Sequence, residues 1–258
     1  MPMEATTSVG HVRRRPSGEP PPLPRELNRV AIAWVVAFAF WTVIWVWVFL
    51  SDQPAIWITE RDLTLMAPIV DNRVSWVTPI MQRINEIGTH WATPVVGWTA
   101  FVGALVAKRV RHALLLIASL SIVAGAVTII SIQITRPRPV GVSQIGNWDG
   151  FAQPSRPVAL LAVALVAAAN SLLTYGGRRP FYWVSAGVLT VFGFAQVYTG
   201  VDHPSDVFAG ATAGIAVTLV LYRVLAPEAV FPIVRDGSKT AHLDVGGAHL
   251  GLVVDGVT

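Results

Sequence analysis

The sequence predicts an all-α membrane protein, a bundle of six transmembrane helices followed by a short β-prone tail. Three observations predict it. Hydrophobic residues make up 53% of the 258 residues and charged ones only 13%, where soluble domains carry about a quarter charged residues. Six apolar runs are bounded by charges or turn residues and lack the polar stripe of a surface helix. Lys and Arg are distributed unequally between alternate loops, as the positive-inside rule requires.

Residues 1–29 include "RRRPSGEPPPLPREL" and have almost no apolar content, so a disordered basic cytoplasmic tail is expected. The run after it lacks a small-x-small cleavage site, which argues against a cleaved signal. About 20 residues of helix span the roughly 30 Å hydrocarbon core. Val30–Leu50, without a charge, meets that length, as do Ala113–Ile134 and Val158–Tyr175. Trp91–Ala107, Phe181–Val197 and Val207–Tyr222 are shorter and complete the six-span domain, residues 30–225.

Between the first two spans, "TPIMQRINEIG" places Ile80, Met81, Ile84 and Ile87 at helical spacing. An amphipathic helix on the outer interface is expected there, with Trp57 and Trp76 in an aromatic belt. With the N-terminus in the cytoplasm, thirteen of the 19 Lys and Arg fall inside and six outside. That predicts a multi-pass protein of the cell membrane with both termini cytoplasmic and Asp149 outside. Residues 226–258 form a cytoplasmic tail in which Asp236-Gly237 signals a hairpin, read as the start of another domain.

The absence of cysteine excludes disulfides, zinc–thiolate sites and thiol catalysis. The net charge of +4 is not gathered into one stripe, so nucleic acid is not the expected partner. No metal and no cofactor are expected.

Three of the six outside cations, Arg136, Arg138 and Arg156, fall in one loop region. The segments "ITRPRP" (134–139), "QPSRPVALL" (153–161) and "VYTGVDHPSD" (197–206) all lie at helix ends on one predicted face. Together they form a candidate anion site: Arg138, Arg156 and Arg136 as cations, Ser155 as the cap of the fourth span. Asp202, His203 and Asp206 are the candidate reactive groups. Each segment alone also fits a plainer reading: an interfacial anchor, a helix start, a polar turn capped by Asp206.

At this point residues 55–225 resemble the type 2 phosphatidic acid phosphatases, membrane relatives of the vanadium haloperoxidases. That family has six transmembrane helices and the signatures K-x6-R-P, P-S-G-H and S-R-x5-H-x3-D. The resemblance implies metal-independent dephosphorylation of lipid phosphates. In it a histidine attacks phosphorus and is oriented by an aspartate. A second histidine protonates the leaving oxygen, and one lysine and two arginines hold the phosphoryl oxygens. Arg138-Pro139 matches the first signature, but its lysine position is Ser131. Pro154-Ser155 matches the second, but glycine becomes Arg156 and the acid histidine becomes Pro157. In the third, Ser-Arg becomes Ala195-Gln196, the nucleophile position is Asp202, and the orienting aspartate is kept as Asp206.

The departures remove general-acid catalysis, worth about 10²–10⁴-fold, and part of the transition-state charge stabilisation. His203 stands one position late. In an extended segment one step turns a side chain to the opposite side, so His203 is expected to be a satisfied loop histidine. Gly200, Pro204, Ser205 and "AGATAG" keep the frame, the last for close helix packing. The tail stretch "RDGSKTAHLDVGGAH" is similar to a junction in actinobacterial multidomain membrane proteins that carry a lysylphosphatidylglycerol-synthase-type region.

The reading is therefore a degenerate member of the lipid phosphatase family: a phosphate-lipid-binding or scaffolding pseudophosphatase, with anionic or phosphate-bearing membrane lipids as partners. A membrane-protein partner, or a covalently following domain, is the further expectation. The alternatives are a divergent phosphatase acting on lipid or polyprenyl phosphates, and a structural membrane subunit without ligand.

Overall fold

Prolines open several of the helices: Pro54 and Pro204 are first residues, and Pro94 and Pro157 stand in first turns. In a computed structural model, residues 25–50, 54–146, 150–173, 175–225, 240–245 and 248–253 are described. The helices are α1 (Arg25–Leu50), α2 (Pro54–Asp71), α3 (Val77–Ile87), α4 (Thr93–Val106), α5 (Val110–Ile134), α6 (Arg156–Leu172), α7 (Tyr175–Tyr198) and α8 (Pro204–Leu225). A π-helical turn, Gly88–Ala92, joins α3 to α4. Strands β1 (Thr240–Val245) and β2 (Ala248–Val253) pair antiparallel.

Helix α1 begins at Arg25, inside the segment 1–29 expected as a tail; residues 1–24 lie outside the described residues. Asp236-Gly237 also lies outside them. Helix α2 is not among the elements expected from the sequence. Ile58, Asp62, Met66 and Val70 recur every four residues and all are buried, so one face of α2 packs inward with a carboxylate in its apolar stripe. In α3, Ile80 and Ile87 face outward while Asn85 is buried.

Helix α6 is the axis of the bundle, packing against α4, α5, α7 and α8. Its Ala-rich sequence keeps it thin, and nearly its whole length is buried. Its closest partner is α8, and the small-residue run permits the approach. A Cβ at Gly210 would stand 2.4 Å from the Ser155 carbonyl oxygen, and one at Gly214 2.3 Å from that of Ala159. No side chain fits at either position, so the "AGATAG" expectation holds in contact detail. Aliphatic clusters fill the remaining seams, among them Val123, Val127, Ala159 and Val163 between α5 and α6.

The outside of the bundle is apolar. Phe40, Trp98, Ile129 and Trp183 are 63–73% exposed, which suits hydrocarbon and not water. By length and composition three helical stretches among the described residues can cross a membrane: Val110–Ile134, Gly177–Tyr198 and Pro204–Tyr222. Ala31–Ile44 and Arg156–Leu172 are shorter apolar stretches. This is the build of a membrane protein.

Candidate functional site

Helix α5 stops at Thr135, which takes a left-handed conformation (φ 49°) and returns its N–H to the Ser131 carbonyl. The two prolines that follow cannot continue the helix, and Arg136 and Arg138 leave it in a loop. The chain re-enters at Ser155 to begin α6. The Ser155 N–H bonds the Asp206 carbonyl at 3.0 Å, which ties the start of α6 to the start of α8. Between α7 and α8, Gly200 has φ +75°, a conformation suited to glycine, and the loop folds back under the other two. The three predicted segments therefore do meet.

Arg136 is the centre of the first cluster and is 5% exposed. It donates to Asp206 Oδ1 at 2.5 Å, Ser205 Oγ at 2.7 Å and Asp62 Oδ2 at 2.7 Å. The Ser205 backbone N–H bonds Asp62 Oδ1 at 3.1 Å, and its hydroxyl donates to Asp62 Oδ2. Asp62 was not foreseen as a site residue. Its signal was in the sequence: an aspartate in the buried four-residue stripe of α2 requires a buried cation.

Arg138 forms the second cluster. It ion-pairs with Asp202 Oδ1, and it donates to the carbonyls of Val201 at 2.8 Å, Gly150 at 3.1 Å and Phe151 at 3.2 Å. Asp202 is 1% exposed. Burial pushes its carboxyl up to about 6; Arg138 opposes the shift, Asp206 adds to it, and the Ser155 hydroxyl opposes it weakly. The Ser155 hydroxyl is thus close enough to favour the anion, although among the described residues it completes no hydrogen bond, and the second Asp202 oxygen likewise lacks a partner there.

His203 departs from expectation. Its ring does not turn away: Nδ1 lies 2.8 Å from Asp206 Oδ2, and its backbone N–H reaches the same oxygen at 3.3 Å. The cause is that Pro204 starts α8 immediately after it. The chain is helical from there, and a three-residue separation brings side chains to one face. Nε2 is buried without a hydrogen-bond partner among the described residues.

The other predicted residues are placed as follows. Ser155 precedes α6 but makes no side-chain cap bond, which corrects the capping expectation. Its backbone already serves the α6–α8 junction. Arg156 is exposed on the first turn of α6, outside both clusters. Of the three expected cations, Arg136 is the most deeply engaged. At the other positions singled out by the resemblance, the Ser131 hydroxyl donates to the Thr128 carbonyl at 3.0 Å within α5. Pro157 is buried in α6, and the Gln196 amide donates to Thr89 Oγ1 at 3.2 Å. Among the described residues no group of three or more His, Cys, Asp or Glu is arranged to hold a metal ion.

No protein family's sequence profile matches the chain. No curated protein matches it either. Solved structures do. The first transmembrane PAP2 type phosphatidylglycerolphosphate phosphatase from Bacillus subtilis superposes with a TM-score of 0.63 at 18% identity, over 73% of this chain and 93% of that one. LpxE from Aquifex aeolicus matches with a TM-score of 0.48 at 18% identity, over 62% of this chain and 94% of that one. The fold is that of the PAP2-type membrane phosphatases.

Proposed function

We propose that this chain is a multi-pass membrane protein of lipid-phosphatase fold that does not hydrolyse phosphate esters and serves as a scaffolding or lipid-associated module. One observation carries the reading. Arg138, at the position where the resembled family binds phosphate, is ion-paired with Asp202, which stands at the nucleophile position. A carboxylate of the protein itself occupies the guanidinium, and carbonyls take its remaining directions. A phosphate group would have to displace a buried anion and then sit beside it.

The surrounding replacements act in the same direction. Pro157 has no proton to donate in place of the family's histidine, Ser131 carries no charge in place of its lysine, and the Gln196 amide is engaged with Thr89. The six-span arrangement uses α1, α4, α5, α6, α7 and α8, with both termini cytoplasmic by the Lys/Arg asymmetry. Since the chain has no native cysteine, a single Asp149→Cys substitution tests it in intact cells. Labelling by a membrane-impermeant maleimide is expected, and labelling by permeant reagent alone would reverse the topology.

A second reading rests on the His203–Asp206 pair. A histidine held by a carboxylate at Nδ1 presents Nε2, the arrangement of an oriented nucleophile or base. This would make the protein a divergent phosphatase acting on lipids of the kind named for the Bacillus enzyme. Phosphate release from phosphatidic acid, phosphatidylglycerolphosphate and polyprenyl pyrophosphate separates the two. The expected result is no release above the detergent blank. Turnover that His203→Ala abolishes would replace the first reading with the second.

A further inference from the structure

A half-open groove of about 270 Å³ lies between α1, α5 and α8. Among the described residues α1 and α5 each pack against α8 but scarcely meet one another. The groove is the gap they leave. Trp41 and Ile130 form its sides, Ala209 and Ala213 its floor, and Gln153 and Pro154 one end. Both alanines belong to α8 and are nearly fully buried, so the floor is set by their small side chains. The walls are apolar.

We propose that this groove is a binding site for one acyl chain of an anionic glycerophospholipid whose phosphate is held by Arg156. The groove's sides are formed by apolar membrane-type helices, and in a bilayer the material beside such helices is acyl chain. At roughly 30 Å³ per water-sized group, the volume holds about nine methylene-sized groups, part of one chain. Charge complementarity selects the head group. The groove ends at Pro154, and Arg156 follows two residues later, within about 7 Å along the backbone. Arg156 is exposed, in contrast to the two arginines already engaged by buried carboxylates. Guanidinium pairs a phosphate through two parallel hydrogen bonds. The site lies beside the closed cluster and does not enter it. The inference rests on the membrane reading and is independent of whether the inner site is catalytic.

The test uses the full chain in nanodiscs with phosphatidylglycerol carrying a diazirine on its acyl chain. Adduct mapping is combined with native mass spectrometry of retained lipid. Adducts are expected within residues 38–46 and 129–134. Ala213→Phe and Ile130→Trp both narrow the groove and should lower retention at least tenfold, while Val188→Phe on the exposed face of α7 should not. Arg156→Ala should reduce the preference for phosphatidylglycerol over phosphatidylcholine by about tenfold while leaving the adducts in place. Adducts spread evenly over α4 and α7 would overturn the chain site. So would unchanged retention in both groove-filling variants, each verified as folded by its melting curve. An unchanged head-group preference in Arg156→Ala would overturn the Arg156 assignment. Phosphate release by the wild type would count against the non-catalytic reading and leave this inference standing.

Discussion

Helices α6 and α8 meet in two ways along their length. Where Gly210 and Gly214 face Ser155 and Ala159, glycine meets main chain with no charged group involved, and shape alone sets the closeness. Near their N-terminal ends, Ser155 and Asp206 join them through backbone, and around that joint lie Arg136, Arg138, Asp62, Asp202 and His203. The seam is tolerant of chemistry and intolerant of volume. The joint is the reverse, because each buried charge there is costly without its partner. Within the joint the two arginines also differ. Arg136 ties α2, the post-α5 loop and α8 into a frame, whereas Arg138 is held by a carboxylate at the position where the resembled family reacts. One arginine thus joins three elements, and the other closes an internal ion pair with Asp202.

The largest expected effect comes from breaking the frame. Arg136→Ala leaves Asp62 and Asp206 buried without their shared cation and should destabilise the protein by about 3–5 kcal/mol. Melting in detergent, or loss of extractable folded protein, reads this directly. A fall of less than 1 kcal/mol would show that the cluster is not structural.

A pH comparison sharpens the role of Asp202. Its carboxyl is raised to about 6 from the ordinary value of 3.8, so between those values the folded state binds a proton more readily than the unfolded chain. Its contribution to stability therefore falls as pH rises through that window and is least favourable above about 6. Asp202→Asn has no such dependence. The variant should gain on wild type by about 2–3 kcal/mol between pH 4 and pH 7.5, measured as the change in the difference between the two melting curves. A difference that stays constant with pH would rule out a raised carboxyl.

The seam is tested by Gly214→Ala. Its Cβ would meet backbone, not a movable side chain, so α6 and α8 must separate, at a cost of about 1–3 kcal/mol. Melting curves at pH 4 and pH 7.5 should show the same loss, since no charge is involved. The smallest effect belongs to Ser155→Ala. Without a side-chain cap bond, it should change stability by less than about 0.5 kcal/mol, where a working N-cap is worth about 1. A loss near 1 kcal/mol would mean that the hydroxyl caps α6 after all.

The sequence by itself determined the helical, membrane-type build and the meeting of three polar segments. Those features depend on local composition and on periodicity, which one chain displays without reference to any other part of it. The small-residue run before α8's midpoint also announced a close packing partner, and α6 is that partner. Only the tertiary structure decided who pairs with whom. Asp62 lies more than seventy residues before the arginine it serves, so nothing local in "TERDLTL" joins it to "TRPRP". Arg136 and Arg138 look equivalent as neighbours in the chain, yet the loop after Thr135 directs one to α2 and α8 and the other to Asp202. His203 was misjudged for the same reason. Its direction depends on where α8 starts, and because the helix begins at Pro204, the histidine shares a face with Asp206. Ion-pair choice and side-chain direction follow from distances set by the packed helices, and those distances exist only once the bundle has formed.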